Sequence, residues 1–178
     1  QSKSWRWNVL RKQTCVTLKT MPLKDCVELT HIFDQLCFPK EMWLDNCGMV
    51  KLIKSGAEST ILSVNDRVIG QAITIVESAM EDELKEVDFE FLATNNGIYS
   101  YSEAILPSHQ KYGYGGLLLH EIALRMKIRG FQSISAHVRR KNGWDIKRKR
   151  VLQVFEERPL NNFWMDKSEA VTFQRAVI

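Results

Sequence analysis

The stretch Ala104-Ile-Leu-Pro-Ser-His-Gln-Lys-Tyr-Gly-Tyr-Gly-Gly-Leu-Leu-Leu-His120 decides the fold. It begins as an apolar run and meets Pro107, which stops sheet pairing or confines it to an edge. Gln110-Lys-Tyr-Gly113-Tyr-Gly115-Gly116 follows, and a helical pattern starts at once. Leu117, Leu118, Ile122, Leu124, Met126 and Ile128 recur among His120, Glu121, Arg125 and Lys127. The order is therefore strand, glycine turn, helix. Glycines let a backbone approach a ligand closely and accept positive φ. The first amides of a helix have no internal partner, and its dipole adds positive potential, so this arrangement suits an anion. It is not a nucleoside-triphosphate loop, since no Gly-Lys-Ser/Thr follows. The glycine spacing also differs from a dinucleotide fingerprint. A plain tight turn before a core helix would use the same residues.

Upstream, Asn95-Asn-Gly97 marks a turn, and residues 98–106 form the strand that feeds the loop. Residues 60–64 and 68–76 read as a hairpin across Asn65-Asp-Arg67. Residues 14–20 alternate and are β-branched, which predicts a first strand. Pro22 is expected to start a helix whose apolar face carries Cys26, Val27, Leu29, Ile32, Phe33 and Leu36. Phe38-Pro39 ends it, and a second helix is expected over about 41–55, weakened by Gly48. Residues 1–12, with Trp5 and Trp7, read as an N-terminal extension. Between the hairpin and the feeding strand lie six carboxylates in ten residues, Glu81 to Glu90. Such a run is a solvated face or one wall of a site for a cationic acceptor.

Downstream, Gly130 stops the loop helix, and residues 131–138 form another strand. Residues 139–150 hold seven Lys or Arg in twelve positions. Ile146, Val151, Val154 and Phe155 predict a helix with a basic face, ended by Pro159. Two final strands are expected, around 161–165 and 170–177. The basic run reads as a solvated face, as a partner for a phosphate, or as a dock for an acidic acceptor such as tRNA. Trp144 among the cations could stack on a base, but no nucleic-acid fold signature accompanies it.

The 178 residues are expected to form one domain, 1–178, with a proper core. With 44% hydrophobic and 26% charged residues the composition is that of a soluble globular protein. A net charge of +4 selects no partner. Cys15, Cys26, Cys37 and Cys47 form no CxxC, so no zinc site is expected. No apolar run approaches the roughly 20 residues needed to cross a bilayer. Four reduced thiols and no visible leader read as a cytoplasmic protein without a membrane partner. A metal is not expected, because no His, Cys or carboxylate group has ligand spacing.

Gln110-x-x-Gly113-x-Gly115 resembles the pyrophosphate-binding motif of the GCN5-related N-acetyltransferases, written Q/R-x-x-G-x-G/A. The predicted element order, β-α-α-β-β-β-α-β-α-β-β, is also similar to that family and covers nearly the whole chain. Phe38-Pro39, Gly130-Phe131 and Asn142 fall where many members carry similar residues. The resemblance implies a three-layer α/β/α fold around a mixed, mostly antiparallel sheet. It implies acetyl-CoA in the V between strands 98–106 and 131–138, with no metal. The backbone around Ile105 would bond the pantetheine arm, and Asn142 would lie near it. Gln110, Lys111, Tyr112, Gly113, Tyr114, Gly115 and Gly116 would hold the pyrophosphate. The implied reaction is direct attack of a primary amine on the thioester.

Glu103 is the candidate base. It precedes Ile105 by two, so their side chains share a strand face. An apolar neighbourhood of Tyr101 and Ile105 would raise its pKa toward neutrality. The alternative is a structural carboxylate paired to Arg or Lys. The expected acid is missing. Many members carry a tyrosine about eight residues after the asparagine, and here Arg150 stands there, with Phe155 the nearest aromatic. Tyr112, Tyr114 and His137 are conceivable substitutes. The acceptor stays open among a small amine, a protein lysine or N-terminus, and an aminoacyl-tRNA, and a homodimer is not excluded. The rival reading is a catalytically degenerate acyl-CoA-binding or protein/RNA-binding module on the same fold.

Overall fold

The computed structural model describes residues 14–140, 143–160 and 170–178. Its strands are β1 (Val16–Pro22), β2 (Glu58–Val64), β3 (Arg67–Val76), β4 (Gly97–Ile105), β5 (Ser133–Arg139), β6 (Gln153–Leu160) and β7 (Val171–Val177). Its helices are α1 (Val27–Cys37), α2 (Asn46–Lys54), α3 (Glu81–Val87), α4 (Tyr114–Ile128) and α5 (Trp144–Val151). The strands form one sheet in the order β1-β2-β3-β4-β5-β7-β6. Every neighbouring pair is antiparallel except β4 and β5.

Two apolar layers flank the sheet. On one face Leu44, Met49 and Leu52 pack with Leu84, Ile73, Ile75, Phe91, Tyr99 and Phe173. On the other, Leu118, Leu119, Ile122 and Met126 of α4 pack with Ile69, Ala72, Ile98 and Ile134. The three-layer α/β fold expected from the sequence is therefore present. The hairpin turn is also as read. Asn65 and Asp66 both take positive φ, 48° and 64°, the backbone that a two-residue loop between right-twisted strands requires.

Several expectations need correction. Pro22 does not open a helix but ends β1, and α1 starts at Val27 after a single 3-10 turn. The strand tolerates it because, among the described residues, β1 pairs only with β2, leaving an edge where the missing N–H costs nothing. The second helix is shorter than expected. It begins at Asn46, where the Asp45 side chain accepts from the Gly48 amide at 2.7 Å. The acidic run contains helix α3, and its Asp88 is buried rather than solvated.

The largest correction follows α5. The chain does not stay helical to Phe155 but turns at Leu152 into strand β6, with Pro159 inside it. Burial alternates strictly along β6, with Val154, Glu156, Arg158 and Leu160 turned inward. Charged residues on the inward face hid that period of two. Phe155 is 60% exposed at a register shift between Val154 and Glu156. The extension 1–12, Asn142 and the strand expected at 161–165 lie outside the described residues.

Candidate active site

β4 and β5 pair only at Gly97–Ser133, Ile98–Ile134 and Tyr99–Ser135, and then part. β4 also carries a bulge there, since Ile73 faces Ser102 while Thr74 faces Ser100, leaving Tyr101 as the extra residue. The sheet is thus opened at its centre, and two cavities lie at the opening.

The larger cavity, about 510 Å³, runs from Glu103, Ala104 and Ile105 of β4 to the glycine turn and the start of α4. One 3-10 turn, Pro107–His109, separates strand from loop. The Gln110 Nε2 then donates back to the Ile105 carbonyl at 2.9 Å, which ties the loop to the strand end. Lys111 and Gly113 take positive φ, 70° and 86°. For lysine this backbone is uncommon. It folds the loop so that the amides of Tyr114, Gly115 and Gly116, which have no partner four residues back, begin the helix at the cavity. Opposite, α5 contributes Trp144, Lys147, Arg150 and Val151. Lys111, Lys147 and Arg150 make the lining cationic.

Of the residues expected to hold the cofactor, Ile105, Gln110, Lys111, Gly113, Gly115 and Gly116 meet in this cavity. Tyr112, which is 75% exposed, and Tyr114, which packs on the α4 core layer, are not in its lining. Trp144, Lys147 and Arg150 belong to the basic run 139–150, which the sequence offers as a partner for a phosphate among other roles without picking these three out for the cofactor. Their spacing of three is a helical face, and that is the signal that could have found them.

The smaller cavity, about 90 Å³, lies on the other side of the opening. Phe38, Met42 and Leu44 of the α1–α2 connection and Ile73 form its apolar part, with the Asp34 carboxyl of α1 beside them. Tyr101, Ser102, Glu103, His137, Arg139 and Trp144 are among the rest of its lining. The Asp34 Oδ2 accepts from the Leu44 amide at 2.9 Å. Burial pushes the Asp34 carboxyl up, against the Leu44 amide and the His31 charge. None of residues 81–90 lines this cavity.

Glu103 does not have the surroundings expected of a free base. The bulge turns Tyr101 to the opposite face. Ser100 donates to the Glu103 Oε1 at 2.7 Å, Arg148 donates to the same oxygen, and the Trp144 indole N–H donates to Oε2. The Arg148 and Glu103 side chains are 1% and 8% exposed. Three donors occupy the carboxylate, as in the paired alternative.

His137 is held as firmly. Its Nε2 lies 3.0 Å from Asp88 Oδ2 and its Nδ1 lies 2.9 Å from the Tyr99 hydroxyl. Arg158 donates twice to Asp88, both at 2.9 Å. Burial alone would raise the Asp88 carboxyl. The hydrogen bonds from His137 and Arg158 outweigh it and hold the group well below the usual carboxylate range. Burial lowers His137, against the pull of Asp88. An ionised carboxylate only accepts, so Nε2 carries the proton and Nδ1 accepts from Tyr99. Burial raises the Tyr99 hydroxyl far beyond neutrality.

This network makes stability pH-dependent. Folded His137 resists a proton that the unfolded chain takes below about pH 6.5, so stability falls as pH drops through that value. Asp88 contributes stability above about pH 3.9 that is lost further into acid. The urea midpoint should therefore decline between pH 7 and 5 in the parent and decline less in His137→Gln. Equal slopes would remove His137 from the account.

No family profile matches the chain, and no curated protein matches it. Solved structures do. The ribosomal-protein-S18-alanine N-acetyltransferase of Escherichia coli superposes with a TM-score of 0.65 at 17% identity, over 92% of this chain and 94% of that one. Naa50 of Arabidopsis thaliana, in complex with a CoA–peptide bisubstrate analogue, gives 0.65 at 16%, over 92% and 99%. An acetyltransferase of the GNAT family from Desulfovibrio desulfuricans gives 0.66 at 16%, over 92% and 99%. The fold is that of the GCN5-related N-acetyltransferases. On this fold Gln110-x-x-Gly113-x-Gly115 runs from the β4–α4 connection into the first turn of α4 and lines the larger cavity.

Proposed function

We propose that the chain is a single acyltransferase domain that moves an acetyl group from acetyl-CoA to a primary amine. The observation that carries this reading is the larger cavity. It joins three cations and a glycine-built helix start to the open flank of β4. A diphosphate suits the first part, since unpaired amides, the helix dipole and cations all favour negative charge. The pantetheine arm suits the second, leading the thioester toward the smaller cavity. That an acetyltransferase from Salmonella typhimurium on this fold holds acetyl-CoA supports the assignment.

The amine enters from the smaller cavity and attacks the thioester directly. The cysteine nearest the β4 end, Cys37, makes a poor relay. Its Sγ lies 3.8 Å from the Ile105 carbonyl, and burial pushes the thiol up to about 11, so it stays protonated at neutral pH. Glu103 holds Arg148 and Trp144 instead of taking the amine proton. Asp34 takes that part. It lines the smaller cavity, and burial raises its proton affinity above that of an ordinary carboxylate, which suits a base that acts in its ionised form. The N–C bond forms, the C–S bond breaks, the amine proton passes to Asp34, and the thiolate leaves with the electron pair.

Asp34→Asn keeps an oxygen for the Leu44 amide and removes only the base. It should lower kcat by about 10²–10⁴-fold with CoA affinity unchanged. In the parent, kcat/KM should fall toward acid as Asp34 protonates, and the variant should lose that limb. A parent-like rate and pH profile would clear Asp34. The reading as a whole is tested by calorimetry with CoA and acetyl-CoA, together with thiol release over a panel of amines. Binding without turnover across amino-terminal peptides, lysine peptides and small amines would turn it into the degenerate binding module. No binding at all would return the glycines to a plain turn.

A further inference from the structure

Among the described residues only Glu103 and Trp144 line both cavities. They are bonded to each other, indole N–H to carboxylate, so together they form the partition between the two spaces. We propose that Trp144, held by Glu103, is the wall on which the transferred acyl group ends, and that it restricts the donor to short acyl chains. This rests on the assignment of the larger cavity to an acyl-CoA.

The partition is stiff. Arg148, itself 1% exposed, and Ser100 fix the carboxylate that holds the indole. Swinging Glu103 away would leave a buried guanidinium without its charge partner, which is costly. The indole cannot retreat toward α4 either. A Cβ built on Gly115 would stand 2.8 Å and 3.0 Å from two ring atoms of Trp144, so the ring already rests against the helix start. A bare hydrogen at Gly115 is what makes room for it.

The position of the wall sets the length limit. The attacked carbonyl carbon must be reachable by an amine in the smaller cavity, so the thioester lies at the partition. The acyl carbons beyond that carbonyl then meet the indole. Space past the wall is about 90 Å³ against about 510 Å³ before it, and the amine has to share it. A methyl group fits beside the ring. Each further methylene displaces packed, rotamer-fixed atoms, and such overfilling is unfavourable.

The test needs no acceptor. Titrate the parent, Trp144→Ala and Trp144→Phe calorimetrically with CoA and with acetyl-, butyryl-, hexanoyl- and octanoyl-CoA. The parent should bind CoA and acetyl-CoA alike and lose at least about tenfold by octanoyl-CoA, a methylene-scale discrimination. Trp144→Ala joins the two cavities and should level the series, with octanoyl-CoA at least as tight as acetyl-CoA. Trp144→Phe keeps a ring and should keep most of the discrimination. A flat series in the parent overturns the proposal whether or not the alanine variant folds. So does a parent-like series in Trp144→Ala with unchanged CoA affinity. Failure of all five ligands to bind would instead remove the donor assignment itself, and the proposal with it.

Discussion

Glu103→Ala is expected to destabilise the fold by about 3–5 kcal/mol, the range for removing one partner of a buried ion pair. The truncation leaves the Arg148 guanidinium inside the protein with no carboxylate. Ser100 and the Trp144 indole lose their acceptor at the same time. Unpaired buried donors carry their full desolvation penalty. Arg148→Met should cost a comparable amount, because it strands Glu103 instead. The double variant Glu103→Ala/Arg148→Met should cost less than the two singles added, since it leaves no orphaned charge. Urea unfolding of the three variants measures this. Additive costs, or a Glu103→Ala cost below about 1 kcal/mol, would mean that the pair is not the tie between β4 and α5 described above.

Gly113→Asp should abolish CoA binding, with a loss of at least about 100-fold, while the protein stays folded. A Cβ at Gly113 meets nothing within 4 Å, so the side chain is not excluded by crowding. The cost to the fold is that of φ +86°, which is about 1–2 kcal/mol for a residue with a Cβ and less for Asp or Asn. The carboxylate would stand at the cavity mouth, where the ligand's phosphates belong. Gly113→Asn has the same shape and the same tolerance of left-handed backbone without the charge. Its affinity should fall far less, and the gap between the two variants should narrow as salt screens the charge. Calorimetric titration with CoA at low and high salt decides it. Equal affinities for Asp and Asn would show that no anion sits at this loop.

The loop and the fold were legible because both rest on local chemistry. Gly113 is needed for one backbone angle, and the apolar period of α4 begins one residue later. The strands β1 to β5 followed from turns such as Asn65-Asp66 and from β-branched alternation, while helix α3 between them was not in the expected order. β6 was not legible, because its inward positions are Glu156 and Arg158 rather than apolar residues. Those charges are satisfied only by tertiary partners. Arg158 meets Asp88 from 70 positions away, and Glu156 meets Arg175. The part of Glu103 was misread for the same reason. Strand alternation put it correctly on the face of Ile105, but its neighbours are set by α5, so an apolar surrounding could not be checked against Arg148. Asp34 is not singled out by any local pattern in the sequence. Only the fold of the α1–α2 connection brings Phe38, Met42 and Leu44 around it.

The parting of β4 and β5 has a further consequence for how this molecule behaves toward other chains. Among the described residues β1 and β6 are the two edges of the seven-stranded sheet, each with a proline in the strand. Proline and charge blunt such edges against strand addition. The split at Tyr99 creates two more edges within the sheet, with no proline in either strand. What protects these is enclosure. The Trp144–Glu103 partition and the α1–α2 connection line the opening that an invading strand would have to enter. An extended chain carrying its own amides but no bulky side chains could still lie there. The lining of the opening is thus also what covers the backbone groups that the parting of β4 and β5 leaves unpaired.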